Sequence, residues 1–355
     1  MNVGFILGIH RHSGNAYSSL LIACFCKNQE KRVILSPIYV ILFPLSVRDE
    51  YMQNPSSRQR LVNLAMLHAT SNGVSQTPIP QVKVIYIDRH GARAPVLYDP
   101  CIVIIFQGHK VGYLGDKIFQ YDPDNYLLMT VPLPFECESF ASPENPLVGI
   151  SIRVDIPILQ DLLIEMGDDS CGEKWRADTT GINSVPLNEA ILCATERLLE
   201  AMANAREARV LGPWIVREIL YHILCGPCGD SLQALMNRYS HFSQIARALR
   251  YIESYYADNL SVERLAMEVN MSVSAFHHNF KAVTNTSPVQ YLKSYRLHKA
   301  RLLMVHDGLK ANAASIQVGY ESPSQFSREF KRFFGVTPGD EVARLRSGSG
   351  VVEIS

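Results

Sequence analysis

The feature that most restricts how this 355-residue chain can fold is a repeat, at an offset near 50 residues, close to its C-terminus. Asn279–Pro288 aligns with Glu329–Pro338, and each copy carries the same physical plan. In the first copy, Ser261 can cap a helix whose apolar face is Val262, Leu265, Ala266 and Val269. A short turn at Asn270-Met271 follows. Ser272 then caps a second helix, with Phe276, Phe280 and Val283 on one face and Ser274, His277, His278 and Lys281 outside. In the second copy the turn is Val318-Gly319-Tyr320. Ser322 is the N-cap and Pro323 sits at the first helical position, where its missing N–H costs nothing. Phe326, Phe330 and Phe333 form the buried stripe, and Ser324, Gln325, Arg328 and Lys331 face out. Each copy runs into a further helix start, Ser287-Pro288-Val289-Gln290 and Thr337-Pro338-Gly339-Asp340. Between the copies Leu297, Ala300, Leu303 and Met304 share one helix face.

A helix, a tight turn and a second helix with a polar outer face make a helix-turn-helix unit. One such hairpin is an ordinary packing motif. Two copies with matching caps, Phe stripes and a connecting helix point to DNA, because polar side chains near the start of the second helix reach base edges in the major groove. Charge agrees. The chain has 34 basic and 34 acidic residues, yet residues 250–346 carry 13 and 9, a net of +4. The residues expected to read bases are Ser274, His277 and His278 in the first unit and Ser324, Gln325 and Arg328 in the second. Arg328 leads, because a guanidinium can bond guanine O6 and N7 together. Lys281, Lys331 and Arg332 lie farther along and are expected to meet phosphates.

The rest of the chain supplies a second lobe. Hydrophobic residues make up 47%, enough to bury a large core. Short apolar runs at roughly 10-residue spacing between 83 and 155 read as strands: Val84–Ile87, Cys101–Phe106, Val111–Leu114, Lys117–Tyr121, Tyr126–Val131, Phe135–Phe140 and Val148–Val154. Gly91 and Pro95 read as a turn. Segment 167–185 reads as a polar linker. From Pro186 on, the period is helical, with helices at Leu187–Met202, Gly212–Leu224, Leu232–Tyr239 and Ile245–Tyr256, and Ser57–His68 reads as an earlier one. The fold class expected is α+β: an N-terminal antiparallel β-sandwich followed by an all-α domain with two helix-turn-helix units. The divisions expected are 1–51, an extension for which a start codon set too early is one explanation; 52–165, a sensor domain; 166–244, a linker and helical segment; 245–345, the DNA-binding domain; and a tail, 346–355. The apolar run Val33–Val47 is short and broken by Pro37 and Pro44, so no membrane segment is expected.

Residues 260–345 resemble the DNA-binding domain of the AraC/XylS-type transcription regulators. The resemblance is carried by Leu265-Ala266, Met271-Ser272, Phe280-Lys281, Ser287-Pro288, Tyr291-Leu292, Arg296-Leu297, Ala300, Leu302-Leu303, the run from Val318 to Lys331, Gly335 and Pro338. Residues 83–165 resemble the cupin-like N-terminal domain of one branch of that family, through Asp88-Arg89-His90, Leu97–Pro100, Gln107–Lys110, Leu114–Asp116 and Ala141–Pro143. Asn270 stands where the family usually has Gly, and Asn tolerates the left-handed turn required there. The resemblance implies a cytoplasmic one-component regulator of transcription, with activator the expected sense. Its partners would be double-stranded DNA and an unidentified small-molecule effector, with RNA polymerase and a second copy of the chain as further candidates.

Cys225-Gly226-Pro227-Cys228 matches a thioredoxin-like dithiol, and a thiol redox sensor or oxidoreductase is the alternative function. The motif follows an apolar helical segment rather than a strand, so two thiols in an interhelical turn is the expectation, with all eight cysteines reduced. A cupin enzyme would need a His-x-His set, and His90 and His109 stand apart. No catalytic constellation and no cofactor is expected. Tyr98 and Gln107 are weak candidates for lining an effector pocket.

Overall fold

The computed structural model describes residues 4–10, 19–25, 55–167, 181–236 and 240–346. The chain divides into two units, Met1–Asn54 and Pro55–Ser355. The first contains an antiparallel hairpin of β1 (Gly4–His10) and β2 (Ser19–Phe25), in register from Gly4 opposite Phe25 to His10 opposite Ser19. Val33–Val47 and 168–180 lie outside the described residues.

The second unit opens with α1 (Pro55–Met66) and then builds two antiparallel sheets. Their strands are β3 (Gly73–Gln76), β4 (Val82–Ile87), β5 (Gly91–Tyr98), β6 (Cys101–Gln107), β7 (His109–Leu114), β8 (Lys117–Tyr121), β9 (Asn125–Met129), β10 (Leu133–Phe140), β11 (Leu147–Arg153) and β12 (Ile182–Pro186). The six-stranded sheet runs β12-β9-β6-β11-β4-β3 and the four-stranded sheet β5-β10-β7-β8. β10 alternates buried and half-buried residues along its whole length, as one apolar face requires. β6 is apolar on both faces because α1 packs across one of them and the other meets β8 of the four-stranded sheet. The strands read from apolar runs are present, β3 and the β1–β2 hairpin were not expected, and two further strands overturn a specific reading. Gly91–Tyr98 is a strand despite Pro95, and 182–186, read as linker, pairs with β9. Pro95 is tolerated because β5 lies at a sheet edge, paired only with β10.

Helix α2 (Ile156–Met166) lies between β11 and β12, and α3 (Glu189–Met202), α4 (Ala205–Val210), α5 (Gly212–Leu224) and α6 (Gly229–Met236) follow the sheets. Among the described residues no helix is long and apolar enough to cross a membrane. Cys225–Cys228 lies in the turn between α5 and α6. Cys228 is a free thiol whereas Cys225 is disulfide-bonded, so the two do not form a dithiol pair, and the expectation that all eight cysteines are reduced is corrected at Cys225.

The helical lobe comprises α7 (His241–Tyr255), α8 (Val262–Glu268), α9 (Val273–Thr284), α10 (Pro288–Val305), α11 (Ala311–Gln317), α12 (Pro323–Phe334) and α13 (Pro338–Arg346). It docks on the four-stranded sheet through donors aimed at sheet carbonyls. Asn285 Nδ2 donates to Leu114 O at 2.8 Å, the Tyr291 hydroxyl to Pro132 O at 2.9 Å, and Arg301 Nη1 to Pro95 O at 3.2 Å. Arg301 and Glu341, almost wholly buried, form an ion pair at 3.0 Å, and Arg344 reaches the same carboxylate at 2.8 Å.

Candidate nucleic-acid interface

Both helix-turn-helix units are built by the caps read from the sequence. Ser261, Ser272 and Ser287 accept from the backbone N–H of Arg264, Ala275 and Gln290, and Ser322 accepts from Gln325. Both turns need a residue in the left-handed region: Asn270 at φ 56° in the first unit, Gly319 at φ 85° in the second. Glycine is required at 319, because a Cβ there would lie 2.3 Å from the Ala257 carbonyl oxygen.

The aromatic stripes root the second helices. Phe276, Phe280 and Val283 are buried on α9, as expected. On α12, Phe326 and Phe330 are buried with Leu297, Ala300, Met304, Ala314 and Val318. The third stripe position is Phe334, with Phe333 only half-buried beside the His298 ring, which corrects the expected i, i+4, i+7 spacing to i, i+4, i+8. Ser315 sits in the apolar scaffold of α11 without cost, because its hydroxyl donates to the Asn312 carbonyl at 2.8 Å.

With one face rooted, the other is presented. Ser274, His277, His278 and Lys281 on α9 are all exposed, as are Ser324, Gln325, Arg328, Lys331 and Arg332 on α12. Arg328 makes no ion pair or hydrogen bond among the described residues, and with Asn312, Pro323, Ser324 and Ser327 it lines a shallow open depression at the start of α12. Gln325 is less available: its amide donates to Glu329 at 3.2 Å. Lys293 at 3.2 Å and the Tyr320 hydroxyl at 2.9 Å share that carboxylate. Burial pushes the Glu329 carboxyl up, but these three hydrogen bonds outweigh it and hold it below the ordinary value. An arginine ion pair with Glu329 is thereby replaced by a network that leaves the guanidinium free.

The two effector candidates are both engaged by protein partners. Tyr98 is buried between the sheets, where its hydroxyl accepts from the buried Lys110 ammonium at 2.8 Å. Tyr121 and Cys137 complete this interior cluster, with the Tyr121 oxygen 3.2 Å from the Cys137 sulfur. Burial first, then the nearby Cys137, push both phenols well above their ordinary values. Gln107, half-buried at the end of β6, donates to the Pro146 carbonyl at 2.8 Å. Lys110 carries part of the family resemblance, but its burial was not expected from the sequence, because it depends on the pairing of β7 with β10. His90 and His109 both pack on the Phe140 ring, and among the described residues no group of three or more His, Cys, Asp or Glu is placed to hold a metal.

Two family descriptions match this arrangement: an AraC-type transcriptional regulator N-terminus over residues 78–231 and a helix-turn-helix domain over residues 265–344. Over residues 78–231 the chain is similar to the AraC-type regulators. Among curated relatives, the HTH-type transcriptional activator RhaS of Escherichia coli O1:K1 is 27% identical over 183 residues, 51% of this chain. The aligned part spans 62% of that relative's length. The fold of ToxT from Vibrio cholerae, solved with an unsaturated fatty acid bound, superposes with a TM-score of 0.54 at 13% identity, covering 77% of this chain and 96% of ToxT. A second ToxT structure, from a different crystal form, gives 0.53 over 74% of this chain and 97% of ToxT, also at 13% identity. The chain therefore shares its two-lobe fold with ToxT at 13% identity.

Proposed function

We propose that this chain is a one-component transcription activator of the AraC type. It binds an asymmetric double-stranded DNA site with α9 and α12 in the major groove, and it answers to a small molecule held by the sheet lobe. The observation carrying this reading is the pair of capped, Phe-rooted second helices, each offering exposed polar side chains, with the Arg328 guanidinium free at the start of α12. Ser274, His277, His278, Ser324 and Arg328 meet base edges. Gln325 joins them only by leaving Glu329. Lys281, Lys331 and Arg332 meet phosphates. In the sheet lobe Gln107 is the more reachable effector candidate, since Tyr98 would require Lys110 to release its hydroxyl. ToxT, of the same fold, holds an unsaturated fatty acid, which supports a small-molecule effector here. The work is binding, performed in the cytoplasm where the chromosome and RNA polymerase are. The sensor takes in 52–165 together with the sheet strand β12, and the DNA-binding domain falls within 245–345.

The test compares Arg328→Ala and Lys331→Ala on a duplex selected by the full chain from a random pool and on random DNA, across salt. Arg328→Ala should lose about 1–3 kcal/mol on the selected site and much less on random DNA. Lys331→Ala should weaken both alike and lower the salt slope by about one. Equal loss on both DNAs for Arg328→Ala, or selective loss for Lys331→Ala, overturns the assignment.

A further inference from the structure

The two repeats end differently at one corner. The residue closing each second helix sits in the left-handed region: Asn285 at φ 54° after α9 and Gly335 at φ 78° after α12. Glycine is the residue this position favours, and at Gly335 an added Cβ would meet nothing within 4 Å. In the first unit the corresponding corner is tied to the sheet lobe. The Asn285 amide donates to the Leu114 carbonyl in the β7–β8 turn at 2.8 Å. The fit is close, since a Cβ on Gly115 in that turn would lie 2.2 Å from Asn285 Nδ2. One residue pair upstream, the Val283 carbonyl, left without an intrahelical partner by the end of α9, accepts from the Gly181 N–H just before β12 at 3.1 Å. The first unit contains a second asparagine in place of a glycine, Asn270, opposite Gly319 in the repeat. Its side chain makes no hydrogen bond among the described residues. An asparagine at a left-handed turn is therefore compatible with having no cross-lobe bond, and Asn285 differs in having one.

We propose that Asn285 is the residue through which the sheet lobe sets the pose of the first DNA-reading helix. The proposal rests on the DNA-binding reading of α9. Any rotation of α9 in a groove moves its C-terminal corner, and that corner is bonded to the β7–β8 turn. Any shift of that hairpin by an occupant of the sheet lobe moves α9 in return. The coupling is reciprocal: DNA held by α9 must alter the hairpin as much as the hairpin alters DNA binding. The matching corner of the second unit has no such bond among the described residues and α12 meets the sheet lobe at β5 instead, so the two units answer to different parts of that lobe.

The experiment follows amide hydrogen exchange by mass spectrometry in the full chain, with and without a duplex selected by that chain from a random pool. Asn285→Gly removes the cross-lobe bond and keeps the helix end, since Gly335 closes the same corner of the repeat. Asn285→Asp keeps the size and the tolerance for φ above zero but offers no donor to Leu114. Asn270→Gly makes the same chemical change where no cross-lobe bond exists. In the free chain, both Asn285 variants should speed exchange of the hairpin 110–121 about two- to tenfold, the loss of one net hydrogen bond. Addition of the duplex should change hairpin exchange in the wild type and in Asn270→Gly. That change should vanish in both Asn285 variants while protection of α12 by DNA persists. A hairpin that ignores DNA in the wild type, or that responds equally in the Asn285 variants, overturns the coupling and leaves DNA binding intact. A chain that selects no duplex from the pool overturns the DNA reading, and the coupling with it.

Discussion

Replacing Glu341 by alanine should be among the most destabilising single changes in the helical lobe. Its carboxylate is fully buried and holds Arg301 at 3.0 Å and Arg344 at 2.8 Å. Arg301 is itself only 2% exposed. Without the carboxylate, its guanidinium keeps the Pro95 carbonyl at 3.2 Å and the Phe334 ring at 5.0 Å but loses the buried anion it faces at 3.0 Å. Removing one partner of a buried pair costs about 3–5 kcal/mol, because the other charge is stranded away from water. Replacing both with apolar groups of similar volume removes the stranded charge, so Arg301→Met with Glu341→Leu should recover most of the loss. The assay is urea unfolding of the full chain, followed by circular dichroism and by tryptophan fluorescence, with coincident transitions required before free energies are compared. A cost below about 1 kcal/mol for Glu341→Ala, or a double variant no better than the single one, would refute the reasoning and mean that the guanidinium finds water.

Gly319→Ala should destabilise by about 2–5 kcal/mol, from roughly 1–2 for the left-handed conformation and about 1–3 for the push against the Ala257 carbonyl. Unfolding measurements with Asn270→Gly alongside, expected within about 1 kcal/mol of the wild type, check the contrast. Phe330→Ala should cost about 3–5 kcal/mol and Phe333→Ala distinctly less, because only Phe330 is fully enclosed. Equal costs would move the stripe back to Phe333. Burial holds the Cys228 thiol above its ordinary value, so its thiolate fraction at neutral pH is reduced and grows only as pH rises. Alkylation of Cys228, mapped by mass spectrometry, should therefore run more slowly than that of free cysteine at pH 7, and a faster rate would restore it as a redox candidate.

What was legible in the sequence was whatever is written locally. Caps at Ser261, Ser272, Ser287 and Ser322, the Asn270 and Gly319 turns and the Phe stripes are short-range patterns, and the helical lobe follows them closely. The strands read as apolar runs are present for the same reason. β5 was hidden because Pro95 argues against a strand unless its place at an edge is known, and that place is set by β10, some 40 residues away in the chain. β12 was hidden because Ile182–Pro186 is polar enough to pass for linker until β9 pairs with it. Phe333 and Phe334 both lie against His298, and only the folded lobe shows which of the two adjacent rings is buried. At the candidate interface, the exposure of Arg328 and Lys331 was readable from the helical period. The engagement of Gln325 by Glu329 was not, since it depends on Tyr320 and Lys293 arriving from other elements.

Pro95 has a wider consequence for how this molecule behaves among copies of itself. Within a strand, the N–H and C=O of one residue point to the same side. The Pro95 oxygen points away from β10, toward Arg301, so the donor that proline lacks is missing from the open side and not from the ladder. That rim of the sheet is thus an acceptor without a matching donor. A guanidinium can satisfy it, while an incoming strand from another chain would find its own carbonyl facing nothing. The same imino ring that makes β5 hard to recognise as a strand guards its outer border against runaway sheet growth when the protein is crowded or partly unfolded.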